Sequence, residues 1–464
     1  MDASASAENS KRQKASEQQS NHEKEDRISH LPETVLHYVL SFAPMELAVR
    51  TSILSTSWKH LWASIHNLDF DDGMQHETKK VISSKKKDFF DFVDRVLCIN
   101  AVSNINRFSL KCQDYDAKRL GKWISIAMER KVQELIFYVQ WECNRIPYRF
   151  PVSVFACESL RVLNIDMEAS INLPATICFS SLRILHLKSI AFYCNHSKEM
   201  SLSCPVLEEL RLYHCRWLEI KVIGIFAPTL QRLTIVEYPC LENLHDCTTK
   251  IDAKNLISLM LQGKPLIDYT LCHQSNLVDV YLELSGYRPD DAIVRRVSSI
   301  LNGINNVKDL ELYDHTIETL SHPFFSAYMH ALSSLVHLRL SSVTCTSGKL
   351  FIDLLCHMPN IETLSFPRGL DSFVFQGNGR MLGKTPKSFL SHLKLVNIHS
   401  FRGIRNQQWF IKFLIKSVRT VDKWAIKLPS DLEQGTIAEL EKLVKGSNCV
   451  LQFQLRNRYL WRSL

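Results

Sequence analysis

The 464-residue sequence lacks the spaced residue sets on which common enzyme chemistries depend. It contains no G-x-x-x-x-G-K-[ST] or G-x-G-x-x-G loop for phosphates, no H-E-x-x-H metal motif and no G-x-S-x-G nucleophile motif. Its 14 cysteines come no closer than the seven positions between Cys240 and Cys247, so no C-x-x-C pair is present for zinc or redox work. We therefore expect no catalytic residue, no metal and no cofactor, and we interpret the cysteines as reduced core residues.

The side chains best suited to contact a partner lie at alternating positions of short leucine-rich hexads. The residues on either side of the second leucine, and the residue after the third, project to one face of a strand. Tyrosine and arginine are typical of binding hot spots, and the charge along these positions passes from basic to acidic. We hypothesise a groove with opposite charges at its ends that binds a segment of a target protein; alternatively, the positions are polar only because they are exposed. The candidate substrate-binding residues are Lys188, Arg211, Tyr213, Tyr281, Glu283, Glu311, Tyr313 and Arg339.

The hexads that carry these residues follow L-x-x-L-x-L, with Ile, Val or Phe as substitutes, and recur about every 26 residues. This spacing matches the leucine-rich repeat period of about 20–29. One unit cannot cover its own apolar face, so neighbouring units must stack into an array. The uneven spacing predicts irregular returning segments rather than uniform helices. The units start at Ile105, Val132, Leu160, Leu182, Leu207, Leu230, Leu256, Leu277, Val307, Leu335, Ile361, Leu390 and Val421.

Before the repeats, residues 26–62 have the pattern of three short helices. An apolar stripe over 35–40 follows Pro32, and Pro44 opens a second turn. The third predicted helix carries apolar residues at i, i+4, i+7 and i+8, among them Trp58 and Trp62. Two tryptophans exceed what so small a unit needs for its core, so we expect part of its apolar surface to serve a partner.

Residues 26–62 resemble the F-box of plant F-box proteins. The matching stretches are D-R-I-S-H-L-P-E at 26–33, L-S-F at 40–42 and A-V-R-T-S-I-L-S at 48–55, followed by Trp58 and by Leu61-Trp62. The resemblance implies that this segment docks a Skp-type adaptor and, through it, a cullin–RING ubiquitin ligase. It also implies a set of adaptor-binding residues, with the alternative that they only hold the three helices together. These residues are Leu31, Pro32, Val35, Leu36, Leu40, Leu54, Trp58 and Trp62.

The chain from Thr385 onward resembles the FBD module that ends many plant F-box/leucine-rich-repeat proteins. The matching residues are Leu390, L-K at 393–394, V-N-I at 396–398, F-R-G at 401–403, F-L at 413–414 and Val421. We predict a strand ending at Ile398, a helix over 409–416, a strand over 424–428, a helix over 436–445 and a strand over 449–455. We expect this module to cap the array.

Together these features predict an α/β solenoid: a three-helix F-box followed by a curved leucine-rich-repeat array with an FBD-like cap. The predicted segments are a disordered tail (1–25), the F-box (26–72), a linker and helical cap of the array (73–100), the leucine-rich repeats (101–383) and the FBD-like module (384–464). The resemblance implies a non-catalytic substrate-recognition subunit of a Skp–cullin–F-box ubiquitin ligase with an unknown target protein. Two alternatives stay open, a small-molecule (hormone) co-receptor of the same architecture and a non-ligase protein-binding scaffold.

The net charge is +8, and the last 71 residues alone hold 13 Lys and Arg against 5 Asp and Glu. Such a surplus can attract nucleic acid, but charge this diluted is more typical of a solvated face, so we do not expect a nucleic-acid partner. No apolar stretch follows a basic start, and the longest charge-free run is too polar to span a membrane. We expect a protein of the cytoplasm, the nucleus or both.

Overall fold

The structure is a computed structural model that consists of two compact units. Unit 1 comprises the residues up to 112 together with 122–132, and unit 2 comprises 113–121 together with 133–464. The predicted tail over 1–25 lies outside the described residues. The structure describes residues 28, 31–73, 79–140, 147–237, 247–263, 267–272, 276–284, 291–320, 330–341, 348–370, 390–399, 401, 404–418, 421, 423–427, 438, 442, 450–455 and 458–462.

Unit 1 begins with two short helices, each of which starts after a proline. Pro32 and Pro44 precede these helices at φ −53° and −54°, values that suit the start of a helix. The elements in chain order are α1 (Glu33–Leu40), α2 (Met45–Arg50), β1 (Asn67–Asp71), α3 (Lys79–Ile99) and β2 (Arg107–Cys112), with 3₁₀ turns at Thr51–Ile53 and Leu61–Ser64 and with α4 (Ala117–Glu129) shared with unit 2.

The third helix predicted for this region does not form as one continuous helix. A 3₁₀ turn, a run of turns and a second 3₁₀ turn replace it. The hydroxyls of Thr51 and Ser52 donate to backbone carbonyls three residues back, both at 2.6 Å, a local bond that competes with regular helix. As a result Leu54 is exposed while Trp58 and Trp62 are buried. The prediction that these three residues share one face is therefore wrong.

The rest of unit 1 joins a pair of strands to two helices. β1 and β2 pair in parallel. The rings of Phe90 in α3 and Trp123 in α4 lie 5.7 Å apart, and Trp123 Nε1 donates to Asp94 Oδ1 at 2.8 Å. β1 also completes a hexad of the repeat pattern, from Ile65 to Phe70, which the sequence analysis did not count among the repeats.

Unit 2 is built mostly of short parallel strands. Its helices are α5 (Asp291–Gly303), α6 (Asp314–Leu320), α7 (Gly348–Cys356) and α8 (Arg405–Ser417), with a 3₁₀ turn at Val152–Ala156. Its strands are β3 (Glu134–Val139), β4 (Tyr148–Arg149), β5 (Val162–Asn172), β6 (Thr176–Cys178), β7 (Ile184–Tyr193), β8 (Glu199–Ser203), β9 (Glu209–Tyr213), β10 (Arg216–Leu218), β11 (Val222–Phe226), β12 (Arg232–Val236), β13 (Cys247–Asp252), β14 (Ser258–Gly263), β15 (Ile267–Cys272), β16 (Asp279–Leu284), β17 (Asp309–Tyr313), β18 (His337–Ser341), β19 (Thr363–Phe366), β20 (Leu395–Ile398), β21 (Lys423–Lys427), β22 (Val450–Leu455) and β23 (Arg458–Arg462).

Twelve of the thirteen predicted hexads form one parallel ladder in unit 2, while the first, from Ile105, forms β2 in unit 1. The ladder runs β3–β5–β7–β9–β12–β14–β16–β17–β18–β19–β20–β21 and continues into β22, which was predicted as a strand of the FBD-like module. Each hexad strand begins two residues after its predicted start, except β20. There the buried residues Leu393, Val396 and Ile398 form the hexad, so the start predicted at Leu390 is three positions too early. From β3 to β21, the leucines and the apolar residues that replace them point inward, and the alternating residues share the opposite face.

The returning segments of the central repeats are more regular than we predicted. Five of them form a second parallel sheet in the order β6–β8–β11–β13–β15. The buried residues Ile223 and Ile225 alternate with less buried neighbours, and this period of two is typical of a strand with one buried side. Later repeats return through helices instead, and α5 packs against the last strand of this sheet, where Arg296 Nε lies 3.1 Å from Asp268 Oδ1.

The C-terminal elements agree with the predicted strands and helix to within a few residues. β20, α8, β21 and β22 lie where a strand, a helix and two strands were expected, and α8 begins four residues early. Most of the helix predicted over 436–445 lies outside the described residues. An additional strand, β23, pairs antiparallel with β22, so the last parallel strand of the ladder is covered along one edge.

None of the described cysteines is in a disulfide bond, but they are not all in the core. Three of them are buried, namely Cys112, Cys204 and Cys247, and three are exposed, namely Cys98, Cys178 and Cys356. Burial raises the pKa of the Cys204 thiol to about 12. Within the described ranges, no group of three or more His, Cys, Asp or Glu is placed to hold a metal ion, and no helix is long and apolar enough to cross a membrane.

Candidate functional site: two protein-binding surfaces

The outer side of α1 presents a stripe of large apolar residues to solvent. Val35, Tyr38, Val39 and Phe42 follow one another at i, i+3, i+4 and i+7, the spacing of one helix face. The side chains of Tyr38 and Phe42 are 67% and 73% exposed, and their rings meet edge to face with centroids 4.9 Å apart. A helix in water has no reason to display such residues unless another surface covers them.

The exposed apolar residues of unit 1 extend beyond α1. Leu47 on α2 is exposed. So are Ile53, which ends the first 3₁₀ turn and is 87% exposed, and Leu54, which follows it. We call the large exposed apolar residues between positions 28 and 54 the apolar surface of unit 1. It consists of Ile28, Leu31, Val35, Tyr38, Val39, Phe42, Leu47, Ile53 and Leu54.

The structure separates the eight predicted adaptor-binding residues into two groups. Four are exposed, namely Leu31, Pro32, Val35 and Leu54. The other four are buried, namely Leu36, Leu40, Trp58 and Trp62. The second group forms the core of the region together with Met45 and Ala48, so its assignment to the docking surface is corrected: a side chain already packed inside the unit has no free area to offer a partner.

Six members of the apolar surface were missed by the sequence analysis. They are Tyr38, Val39, Phe42, Leu47, Ile53 and Ile28. The helical spacing of the first three was present in the sequence, but it gave two apolar stripes on α1, and spacing alone does not say which of the two faces inward. The position of the tryptophans, known only from the fold, settles that choice.

One acidic group lies half-buried among these helices. Glu46 Oε1 is buried and has no hydrogen-bond partner within the described part of the chain. Burial raises the pKa of this carboxyl above its ordinary value of 4.5, helped by the charge of Asp71 and opposed by Arg50.

The second candidate surface is the outward face of the ladder in unit 2. Residues at equivalent positions of neighbouring strands lie side by side: Arg211 is opposite Thr234, and Tyr281 is opposite Glu311. All eight predicted substrate-binding residues lie on this face, which we call the strand face. Its members collect into two clusters.

The first cluster surrounds one carboxylate, that of Glu209 on β9. Its side chain is only 7% exposed, and it is contacted from three strands. Arg211 Nε lies 2.6 Å from it, Arg232 Nε donates to it at 2.7 Å, and His186 Nε2 lies at 2.8 Å. Nearby, Lys188 pairs separately with Asp166 at 3.0 Å.

The charges of this cluster are fixed by their contacts. Burial alone would raise the pKa of Glu209, but the hydrogen bonds from Arg232 and His186 and the charge of Arg211 outweigh it and hold this pKa below 4.5. Burial lowers the pKa of His186, although the hydrogen bond to Glu209 opposes this. At neutral pH His186 is therefore uncharged and donates Nε2–H to the carboxylate.

The second cluster surrounds the guanidinium of Arg339 on β18. Its Nη2 donates to Asp279 at 2.8 Å, its Nε donates to Glu311 at 3.1 Å, and Nη1 lies 3.7 Å from Asp309. Ser341 Oγ donates to the second oxygen of Glu311 at 2.7 Å. A single cation on β18 thus contacts three carboxylates on the two preceding ladder strands, β16 and β17.

The aromatic side of this cluster lies beside the ion pairs. Tyr281 donates its hydroxyl to Glu283 at 2.7 Å, and burial together with this bond raises its pKa. The rings of Tyr281 and Tyr313 are 6.2 Å apart. The guanidinium of Arg368 lies over the Tyr313 ring, 4.7 Å from its centroid.

The predicted passage from basic to acidic residues is only partly present. Glu209 and Asp166 lie on the same face as the cations of the first half and neutralise part of their charge, which the prediction had not counted. The signal was available, because Glu209 occupies the position before the second leucine of its hexad. Arg368 carried no such signal, since it follows β19 outside the hexad pattern.

Two family models match the chain. The F-box domain matches residues 28–70, and a model described as FBD-associated F-box protein At5g56370, LRR repeats, matches residues 120–270. Similar curated proteins come from Arabidopsis thaliana. The F-box protein At3g59000 is 29% identical over 93% of this chain and 94% of its own length, and the F-box/LRR-repeat protein At4g14096 is 28% identical over 92% and 94%. An F-box/FBD/LRR-repeat protein, At3g59240, is 28% identical over 92% of this chain and 89% of its own length.

The chain thus carries an F-box followed by leucine-rich repeats of the At5g56370 type. The resemblance to plant F-box/leucine-rich-repeat proteins and the fold class predicted from it are confirmed. Proteins with this combination are generally substrate adaptors of SCF ubiquitin ligases and usually non-catalytic, and F-box domains generally bind Skp1-type adaptors.

Proposed function

We propose that this chain is the substrate-recognition subunit of a Skp–cullin–F-box ubiquitin ligase. The apolar surface of unit 1 docks the Skp-type adaptor, and the strand face of unit 2 binds the target protein. Catalysis belongs to other subunits. The chain contributes proximity, since a bound target raises the local concentration of its lysines near the conjugating enzyme.

The observation that carries this proposal is the apolar stripe on α1. Its residues lie within the segment matched by the F-box model, and they stay exposed although the unit buries two tryptophans of its own. An amphipathic helix that buries one apolar face internally and displays a second one is suited to bind a groove in a partner. No feature within the described residues specifically favours the hormone co-receptor or the non-ligase scaffold.

The proposal is tested by measuring the affinity of the purified full chain for a purified Skp1-type adaptor. The double variant Tyr38→Ala/Phe42→Ala removes the two most exposed rings of the stripe. We expect the affinity to fall by about 100-fold, as is usual for aromatic anchors at the centre of an interface.

A matched control is available in unit 2. Tyr138 and Phe226 are 41% and 50% exposed, so Tyr138→Ala/Phe226→Ala removes the same two residue types from another surface. The control should bind the adaptor as the wild type does. A folded wild-type chain that does not bind the adaptor, or an α1 variant that binds as tightly as the control, contradicts the proposal.

A further inference from the structure

The strand face carries charge that its internal ion pairs do not cancel. Three groups of residues follow one another along the ladder from β7 to β17. The cationic patch consists of Lys188, Arg211 and Arg232 with their partners Asp166 and Glu209; the uncharged strip consists of Thr234, Val236, Ser258, Met260 and Gln262; and the anionic patch consists of Asp279, Glu283, Asp309 and Glu311 with their partner Arg339.

In the cationic patch the positive side chains outnumber the carboxylates. Asp166 is already paired with Lys188, so Arg211 and Arg232 share the single carboxylate of Glu209. Both guanidiniums keep about half of their side-chain surface exposed. Each has N–H donors left over for an additional oxygen ligand, because a guanidinium carries five.

In the anionic patch the balance is reversed. Arg339 bonds to Asp279 and Glu311 and lies near Asp309, while Glu283 accepts only the hydroxyl of Tyr281 among the hydrogen bonds described above. The four carboxylates of this patch therefore outnumber its one guanidinium.

The guanidinium of Arg368 already rests on the Tyr313 ring at the border of the anionic patch. It shows that this part of the strand face accommodates a planar cation against an aromatic ring. Even with Arg368 counted, carboxylates remain in excess.

The separation of the two patches sets the size of the ligand. Arg211 on β9 and Glu283 on β16 are three ladder steps apart, and Glu283 lies two residues beyond Tyr281, the β16 residue in register with Arg211. At the usual spacings of about 4.8 Å between strands and about 3.3 Å per residue, these two positions are about 16 Å apart. An extended peptide covers this distance with about five residues. The separation exceeds the screening length of about 8–10 Å in physiological salt, so the two positions attract opposite charges independently.

We propose that the strand face binds an extended segment of the target protein in which an acidic residue is followed or preceded, about five positions away, by a basic residue. The acidic side chain bonds to Arg211 and Arg232, the basic one lies against Glu283 and Tyr281, and uncharged residues between them cross the strip at Met260. This inference rests on the proposed function, and it restricts the targets to proteins that carry such a pair of oppositely charged residues.

The test uses the full chain and fluorescein-labelled synthetic peptides followed by fluorescence anisotropy. Each peptide carries Asp-Asp and Lys-Lys at opposite ends, in both orders, separated by one, five or ten uncharged residues. We expect the five-residue spacer to bind about tenfold more tightly than the one-residue spacer in at least one order. Equal affinity for all spacers, or no binding by any peptide at about 100 µM, overturns the inference.

Matched variants locate the two ends of the peptide. Arg232→Ala is compared with Arg183→Ala, because Arg183 precedes β7, is equally exposed and has an ion pair of the same length with Glu208. Glu283→Gln is compared with Glu362→Gln, because Glu362 precedes β19 and pairs with Lys394. Arg232→Ala and Glu283→Gln should each weaken the five-spacer peptide about tenfold, and the two controls should not.

A charge exchange completes the test. In Arg232→Glu, a peptide with lysines at both ends should regain the affinity that the original peptide has lost; failure of this rescue, or equal effects of the paired variants, overturns the inference. Adaptor binding is measured on the same preparations. Peptide binding without adaptor binding would contradict the ligase role alone, and adaptor binding without peptide binding would contradict this inference alone.

Discussion

The two candidate surfaces of this protein differ in how their exposed residues are partnered. Tyr38 on α1 and Phe42, two residues after its end, contact each other and are mostly exposed to solvent. On the strand face, charged residues such as Arg339 are already held by neighbours on adjacent strands. Exposure of apolar residues thus points directly to a partner, whereas exposure of charged residues does so only where internal ion pairs leave a surplus.

The largest expected effect is the difference in free energy of unfolding between variants of a core tryptophan and a surface phenylalanine in unit 1. Trp58 is 5% exposed, so Trp58→Ala leaves a cavity and should lower the free energy of unfolding by about 3–5 kcal/mol. Phe42→Ala should change it by no more than about 0.5 kcal/mol, because that ring is mostly in water. Urea unfolding followed by circular dichroism measures both.

For loss of adaptor binding by a folded chain the order is reversed: Phe42→Ala should have the larger effect and Trp58→Ala the smaller one. Phe42→Ala should leave the fold intact and lower the affinity for the adaptor. Trp58→Ala should lower this affinity only to the extent that it unfolds the unit. A stable, fully folded Trp58→Ala chain that no longer binds would return Trp58 to the docking surface and reverse our correction.

A smaller effect is expected at the centre of the cationic patch. Glu209→Gln keeps the shape of the side chain but leaves Arg211 and Arg232 without their shared anion, at a cost of about 1–3 kcal/mol at neutral pH. The pKa of Glu209 is held below 4.5, so its contribution is present above pH 4.5 and is lost as the pH falls through that lowered pKa. Unfolding curves of variant and wild type should converge in acid.

The control for this prediction is Glu362→Gln, which breaks an exposed pair with Lys394. Exposed pairs of this kind contribute little, and we expect no measurable change in the urea midpoint. If Glu362→Gln and Glu209→Gln were equally destabilising, burial of the Glu209 carboxylate would not be what makes its ion pairs important.

The smallest effect has the opposite pH dependence and lies in unit 1. Burial raises the pKa of Glu46, so its ionised form disfavours the folded state, and this penalty is present above the raised pKa and absent below 4.5. Glu46→Gln should therefore raise the free energy of unfolding at neutral pH, by less than about 1 kcal/mol, and the gain should disappear in acid. A gain that persists at pH 4 would assign it to packing instead.

The repeat array was the most predictable part of the fold. The hexads placed the ladder strands because inward leucines recur at a fixed position, and only the start at Leu390 was wrong. There, Leu390 and Leu393 both fit the first position, and the strand follows the second of them. The second sheet was not predicted, since its strands have no shared motif and show only a local alternation of buried and exposed residues.

The candidate sites were predictable in type but less so in membership. Apolar docking residues and a charged strand face were both expected, yet Trp58 was assigned to the surface and Tyr38 was overlooked. Amphipathic spacing identifies two faces of a helix but not which one the rest of the unit covers. Likewise, the hexads place Arg211 and Glu209 on one face, but only the distance between their atoms shows that one neutralises part of the other.

The doubled sheets of the central repeats have a consequence for how such proteins diversify. Each repeat between residues 182 and 256 supplies at least one strand to each sheet, so after loss or duplication of a whole repeat the strands of each sheet would still have neighbours to pair with. The footprint on a ligand would then change in steps of about 4.8 Å. Related proteins that differ by whole repeats could in this way bind longer or shorter target segments while their apolar core stays buried.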